Sequence, residues 1–209
     1  MYPNLRVPAN APHSDHIDRI TRLDRSARAA FGWHPALFPG LLQSAPYASA
    51  VLASLAPSLP EETRTARAAA RPLRVDALGL AQGRAAHFLL PACALARPLG
   101  GDQVLARQLE HLLDLVALRP SLTVQVVADD TEHPGLAGGF TLYELEYERA
   151  VLREDLVGTH LTSAPDDVAA YRAAFDDLRA RALPPAASLE LIDETKGRLC
   201  RTLYRPPRG

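Results

Sequence analysis

His87-Phe-Leu-Leu-Pro91, then Leu105-Ala-Arg-Gln-Leu-Glu-His-Leu-Leu-Asp-Leu-Val-Ala-Leu118, then Leu122-Thr-Val-Gln-Val-Val127 is the stretch on which the fold turns. The first segment is a short apolar strand. The second places Leu109, Leu112, Leu113 and Val116 at helical spacing, and the third alternates at period two. Strand, helix and strand in that order predict a β-α-β unit, parallel and right-handed. Downstream, Phe140-Thr-Leu-Tyr-Glu-Leu-Glu146 and Ala150-Val-Leu-Arg-Glu-Asp-Leu156 read as two further strands, returning antiparallel.

Helices surround this sheet on the chain. One starts near Ser14 or Asp15 and carries Ile17, Ile20, Leu23 and Ala27. Phe31 to Gly40 reads as a bent connector, its prolines and glycines denying regular structure. Ser44 can cap a helix that tolerates Pro46 in its first turn. Pro60-Glu-Glu-Thr63 opens another helix, with acids where the dipole favours them, and Pro72 is expected to bend or interrupt it. Asp166 to Ala182 puts Val168, Tyr171, Phe175 and Leu178 on one face, and Ser188 to Leu199 forms a last helix. The expected fold is α+β: a small mixed sheet flanked by N-terminal and C-terminal helices. Residues 1–13 read as a loose arm, 14–200 as one domain and 201–209 as a frayed tail.

Bulk properties narrow the function classes. The chain has 209 residues, 47% of them apolar, and a net charge of −1, so no global field draws it onto nucleic acid or anionic membrane. Nothing in its first residues has signal-peptide order and no run is long enough to span a bilayer, which points to the cytoplasm. Cys93 and Cys200 stand far apart and read as buried thiols rather than a disulfide framework. Lys196 is the only lysine, so Schiff-base chemistry would have to use it. No nucleophile elbow or cysteine–histidine signature is present, and no cofactor is expected. His13-Ser-Asp-His16-Ile-Asp18 has metal-like spacing, but no second cluster completes it and no metal site is expected.

Six ordered blocks carry a family resemblance. Phe38-Pro-Gly-Leu-Leu-Gln-Ser-Ala-Pro-Tyr-Ala-Ser-Ala-Val51 is followed by Arg97-Pro-Leu-Gly-Gly101, Gln108-Leu-Glu-His-Leu112, Val124-Gln-Val126 and His133-Pro-Gly-Leu-Ala-Gly-Gly-Phe-Thr-Leu142. The sixth is Tyr171-x-x-x-Phe-x-x-Leu-x-x-x-Ala-Leu-x-x-x-x-Ser188. Together they resemble the uncharacterised effector domain that follows the helix-turn-helix in actinomycete regulators, over roughly residues 20 to 199. Too few residues precede this region for a helix-turn-helix module. The resemblance implies sensing of a small molecule or binding of a small protein partner. It also leads one to expect an Asp-Glu pair at the end of the first strand of the β-α-β unit, where this chain has Pro91-Ala92.

Several residues are candidates for such a site. Arg67, Arg71 and Arg74, at i, i+4 and i+7, share one face if the helix survives Pro72, as an anion clamp or as a solvated stripe paired with Glu61 and Glu62. His133 sits in a glycine-rich loop at a strand end, suited to ligand contact or proton transfer, or simply to a structural turn. Glu154 reads as a raised-pKa acid or as a partner for an arginine such as Arg97. Gln43 and Tyr47 present polar tips four residues apart, with Tyr47 also readable as core. The expected pocket is thus bordered by Gln43, Tyr47, Arg67, Arg71, Arg97, His133 and Glu154. The leading expectation is a stand-alone ligand-sensing or partner-binding regulatory domain, with no direct nucleic-acid or membrane contact. Two alternatives stay open: a cofactor-independent cyclase, isomerase or hydrolase of specialised metabolism using His133 and Glu154 as base and acid, and a homodimerising structural subunit.

Overall fold

The computed structural model describes residues 5–8, 13–129, 132–155 and 158–203, with residues 5–8 and 13–19 described by their backbone alone. Its strands are β1 (Leu5–Pro8), β2 (Ala29–Trp33), β3 (Ala85–Pro91), β4 (Leu122–Val127), β5 (Phe140–Glu144), β6 (Arg149–Asp155) and β7 (Gly158–Thr162). They form one seven-stranded mixed sheet in the order β1-β7-β6-β5-β2-β3-β4. The helices are α1 (His13–Ser26), α2 (Ala45–Leu55), α3 (Glu61–Ala77), α4 (Ala92–Ala96), α5 (Asp102–Leu118), α6 (Pro165–Arg181) and α7 (Pro185–Leu203). The fold is α+β.

The β-α-β unit forms as its periodicity implies: β3 and β4 run parallel, with α5 between them in the chain. β5, β6 and β7 then return antiparallel to one another. The expected connector at 31–40 is corrected in its first part. Ala29-Ala-Phe-Gly-Trp33 is a central strand, parallel to β3 and antiparallel to β5. Gly32 belongs there because the Phe88 ring lies 2.4 Å from where its Cβ would stand. The strand exists through its two neighbours rather than through any local pattern.

Three other expectations change. α3 runs unbroken through Pro72. A proline inside a helix costs about 3 kcal/mol, and here tertiary contacts outweigh that. Arg74, just beyond the proline, is locked by a buried ion pair to Asp24 of α1 at 2.8 Å. The arm expected to be loose over 1–13 supplies β1, paired antiparallel with β7. Helix α7 extends to Leu203, and the rest of the expected frayed tail lies outside the described residues. So do the side chains of His13, His16, Ile17 and Asp18. The thiols also differ from expectation: Cys93 is only partly buried and Cys200 is exposed.

Two apolar clusters cover the two faces of the sheet. The larger joins β-strand residues such as Ala30, Phe88, Val124 and Leu152 to α1, α2, α3, α5 and α7. The smaller joins Trp33, Leu89, Leu142 and Val151 to Phe175 and Leu178 of α6. Edge strand β4 is covered: Leu183 N–H donates to the Val126 carbonyl at 2.8 Å, and Val126 N–H donates to Ser188 Oγ at 3.0 Å. These bonds occupy both outward backbone groups of Val126 on that edge.

Candidate functional site

On the larger helical face the packing leaves a cavity of about 400 Å³. Helices α2 and α3 and strand β6 form most of its wall, with Ile20 of α1 and Gly158 and Thr159 of β7 beside them. Val51, Leu52 and Leu55 of α2 give an apolar side; Arg67, Ala70, Arg71 and Arg74 of α3 stand along the other; Glu154 and Asp155 lie at the end of β6. His34, Leu37, Phe38 and Gln43, from the segment between β2 and α2, complete it.

The three arginines lie on one face because α3 stays helical past Pro72, but their surroundings differ. Arg74 Nε donates to Asp24 Oδ2 at 2.8 Å and Nη2 reaches Oδ1 at 3.4 Å. Tyr143 O–H donates to the same Oδ1 at 2.7 Å. Burial works most strongly against the Arg74 charge, but Asp24, with Tyr143 and Glu154, together outweighs it and leaves the guanidinium above its ordinary range. Burial also pushes the Tyr143 hydroxyl well up, and Asp24 adds to that. Arg74, Asp24 and Tyr143 form a closed, neutral, hydrogen-bonded group.

Arg67 and Arg71 are held otherwise. Burial is the largest influence on both and pushes them down, while Glu154 works the other way. Arg71 Nη1 donates to Gln43 Oε1, and Gln43 is oriented in turn by Nε2 donating to the Phe38 carbonyl at 2.6 Å. Gln43 is 2% exposed, so its amide works as a fixed bracket rather than a solvated tip.

His34 borders this cavity, and sequence reasoning did not single it out. Its Nδ1 accepts from Ala36 N–H at 3.2 Å and Leu37 N–H at 3.1 Å, so the ring proton belongs on Nε2. Burial lowers its pKa first of all; Glu154 raises it, and Arg71 and Arg97 lower it further. The ring is neutral at pH 7 and is a donor, not a base. A signal existed: His34-Pro-Ala-Leu37 and His133-Pro-Gly-Leu136 share one pattern, but only the second sits in a glycine-rich loop that draws notice.

The structure brings Gln43, Arg67, Arg71 and Glu154 together around the cavity and leaves Tyr47, Arg97 and His133 outside its lining. Tyr47 is fully buried, edge-on to Phe38 with centroids 5.1 Å apart, and burial pushes its hydroxyl up to about 12. Arg97 acts on His34 and Tyr47 only through its field. His133 lies on the opposite face of the sheet, edge-on to Trp33 with centroids 5.3 Å apart. Glu154 shares the face of Leu152, because alternate strand residues point the same way. His133 and Glu154 therefore do not form the acid–base pair expected of them.

The glycines of the His133 loop serve a different purpose. A Cβ on Gly135 would stand 2.5 Å from Trp33 Nε1, which donates to the Gly135 carbonyl at 2.9 Å. A Cβ on Gly139 would stand 2.9 Å from His34 Cδ2. The loop backbone thus braces two successive residues of the β2 end, one on each face of the sheet.

Among the described residues no group of three or more histidine, cysteine or acidic side chains is placed to hold a metal ion. No described helix is long and apolar enough to cross a membrane. The model of a family described as a domain of unknown function, DUF5753, matches residues 17–194. No curated protein matches the chain.

Proposed function

The chain belongs to the DUF5753 family, and from that premise we propose that it is a ligand-sensing regulatory domain whose cavity takes a small molecule. The cavity carries the reading. At about 400 Å³ it falls within the range of small-molecule sites, and its lining is apolar with a few convergent polar groups. "Regulatory" rests on the resemblance of the ordered blocks to the effector half of actinomycete helix-turn-helix regulators. An occupant touching α2, α3 and the end of β6 at once favours the arrangement in which those elements hold that spacing, which is how binding is relayed to a partner.

Binding is favoured over turnover by one observation. The histidine in the cavity has its Nδ1 lone pair engaged by two backbone amides, so it offers a hydrogen-bond donor and takes up no proton without breaking those bonds.

Ala70, on the inner side of α3, provides the test. Thermal unfolding of the full chain against a chemically broad small-molecule library is compared with that of Ala70→Trp, which fills the cavity. A ligand at about a hundred times its Kd raises wild-type stability by about 2.7 kcal/mol, or roughly 5–10 °C in Tm, and leaves Ala70→Trp unmoved. If every stabilising compound acts equally on both proteins, the cavity is not the site and the reading fails.

A further inference from the structure

We infer that the molecule this cavity takes is uncharged, an apolar body bearing a carbonyl oxygen that accepts from His34 Nε2–H. This rests on the small-molecule reading above and adds the chemistry of the ligand.

Charge excludes the ionic classes. The lining holds Arg67, Arg71 and Arg74 against Glu154 and Asp155, and Asp24 stands behind Arg74 as its partner. Among the described residues, three guanidiniums thus meet three carboxylates. Burial lowers the pKa of His34, so its ring adds no charge at pH 7. An occupant with a net charge would bring one for which this lining holds no counterpart. Burial already works against Arg67 and Arg71, and it would work against the added charge as well. An uncharged occupant leaves the balance intact.

One hydrogen-bonding group in the lining asks for a partner. His34 Nδ1 is held by the Ala36 and Leu37 amides, and Cδ2 lies 2.9 Å from where a Cβ on Gly139 would stand. The Nε2–H edge is what the ring turns to the cavity. Glu154, Arg71 and Arg97 act on the ring through their fields, and among the described residues no group accepts its proton. A donor left unsatisfied in such a place costs free energy, so an occupant that accepts from it gains over one that does not. A carbonyl accepts without bringing a donor of its own, as a hydroxyl would.

The frame around this donor is apolar. Leu37 and Phe38 follow His34 in the chain, and Val51, Leu52 and Leu55 of α2 form the apolar side. Leu55 lines the cavity although half of its surface is exposed, which marks that end as open. The carbonyl is thereby assigned to the His34 end and the apolar body to α2.

Titration calorimetry of the full chain with hexyl methyl ketone, cyclohexyl methyl ketone and benzylacetone tests the inference. Each is set beside the carboxylate in which an oxygen replaces its methyl group, and beside a primary ammonium of matched size. At least one ketone is expected to bind about tenfold or more tightly than both of its charged analogues. Butylbenzene, which is benzylacetone without its oxygen, isolates the hydrogen bond. His34→Asn keeps an oxygen for the Ala36 and Leu37 amides but removes the Nε2–H. It is expected to weaken the ketone about three- to tenfold and to leave butylbenzene unchanged. If His34→Asn does not fold, the proton resonance of His34 Nε2–H decides, moved downfield by the ketone and not by butylbenzene. A carboxylate or ammonium that binds as tightly as its ketone, with Ala70→Trp abolishing both, overturns the inference and leaves the small-molecule site standing. So does a ketone whose affinity His34→Asn leaves untouched. Absence of binding by every ketone also overturns it, while the library comparison judges the site independently.

Discussion

The two faces of the sheet are closed by different means. Under α6 the interior is filled: Phe31 and Phe175 meet edge-on at 5.3 Å, Phe140 and Tyr171 at 4.9 Å, and Trp33 has its indole N–H on the Gly135 carbonyl. Beneath α2 and α3 the larger cluster leaves open space and admits arginines. The contrast is sharpest within β2 and the residue after it, where Trp33 serves the filled face and His34 the hollow one. Packed rings, with a few hydrogen bonds between them, stabilise the first. On the second, buried charge must be matched, as Asp24 matches Arg74. The molecule thus separates a densely filled face from one that keeps a cavity among charged groups.

The most severe way to break that separation is a pair of truncations, one per face. Phe175→Ala removes a fully buried ring and is expected to cost about 3–5 kcal/mol. Asp24→Ala strands the buried Arg74 charge and costs a similar amount, about 3–5 kcal/mol. Chemical denaturation measures both. Ligand affinity distinguishes them: Phe175→Ala leaves it unchanged, and Asp24→Ala alters it by releasing Arg74 within the lining. Equal affinities in the two variants would erase the contrast.

A milder pair probes the loop that braces both sides. Gly135→Ala and Gly139→Ala each force a methyl into space held by a ring, and each is expected to destabilise by about 1–3 kcal/mol. Only Gly139→Ala displaces His34, so only it should weaken ligand binding as well. Parallel thermal unfolding and titration check this. A loss of affinity in Gly135→Ala would mean that the two faces are coupled through β2.

Much of the sheet and its covering helices was legible from sequence, and the cavity among them only in part. β3, α5, β4 and α6 announce themselves by apolar spacing, because each buries one continuous stripe or face. β2 does not: five residues with a glycine, lying between two neighbouring strands, carry no alternation to read. β7, Gly-Thr-His-Leu-Thr, is likewise a strand by its pairing with β6 and β1. On the site, helical spacing placed Arg67 and Arg71 on one face, Gln43 lies within a family block, and Glu154 lies in a strand read from its apolar pattern. His34 was hidden by the proline after it, which made a strand end look like a connector. His133 drew attention through glycines whose purpose is to admit the rings of Trp33 and His34, a reason visible only in three dimensions.

The smallest effect separates the faces by pH. His34 on the hollow face and His87 on the filled one both have pKa values lowered below 6.5, chiefly by burial. The unfolded chain therefore binds these protons at higher pH than the folded one does. Their contribution to stability is intact above about pH 6.5 and is lost as pH falls through the folded values, at up to about 1.4 kcal/mol per pH unit for each proton. The causes differ. His87 packs edge-on to Phe175 at 5.3 Å and bonds Gln125 at 2.7 Å, so nothing bound in the cavity reaches it. His34 must surrender the Ala36 and Leu37 amides to take a proton at Nδ1, but a cavity occupant that accepts from its Nε2–H favours the charged ring. Denaturation at pH 7 and pH 5, with and without a cavity ligand that accepts from His34, should show the ligand sparing part of the acid loss. That sparing should persist in His87→Gln and vanish in His34→Asn. If it vanishes in His87→Gln instead, the ligand is felt on the filled face, and the division of labour between the two faces is wrong.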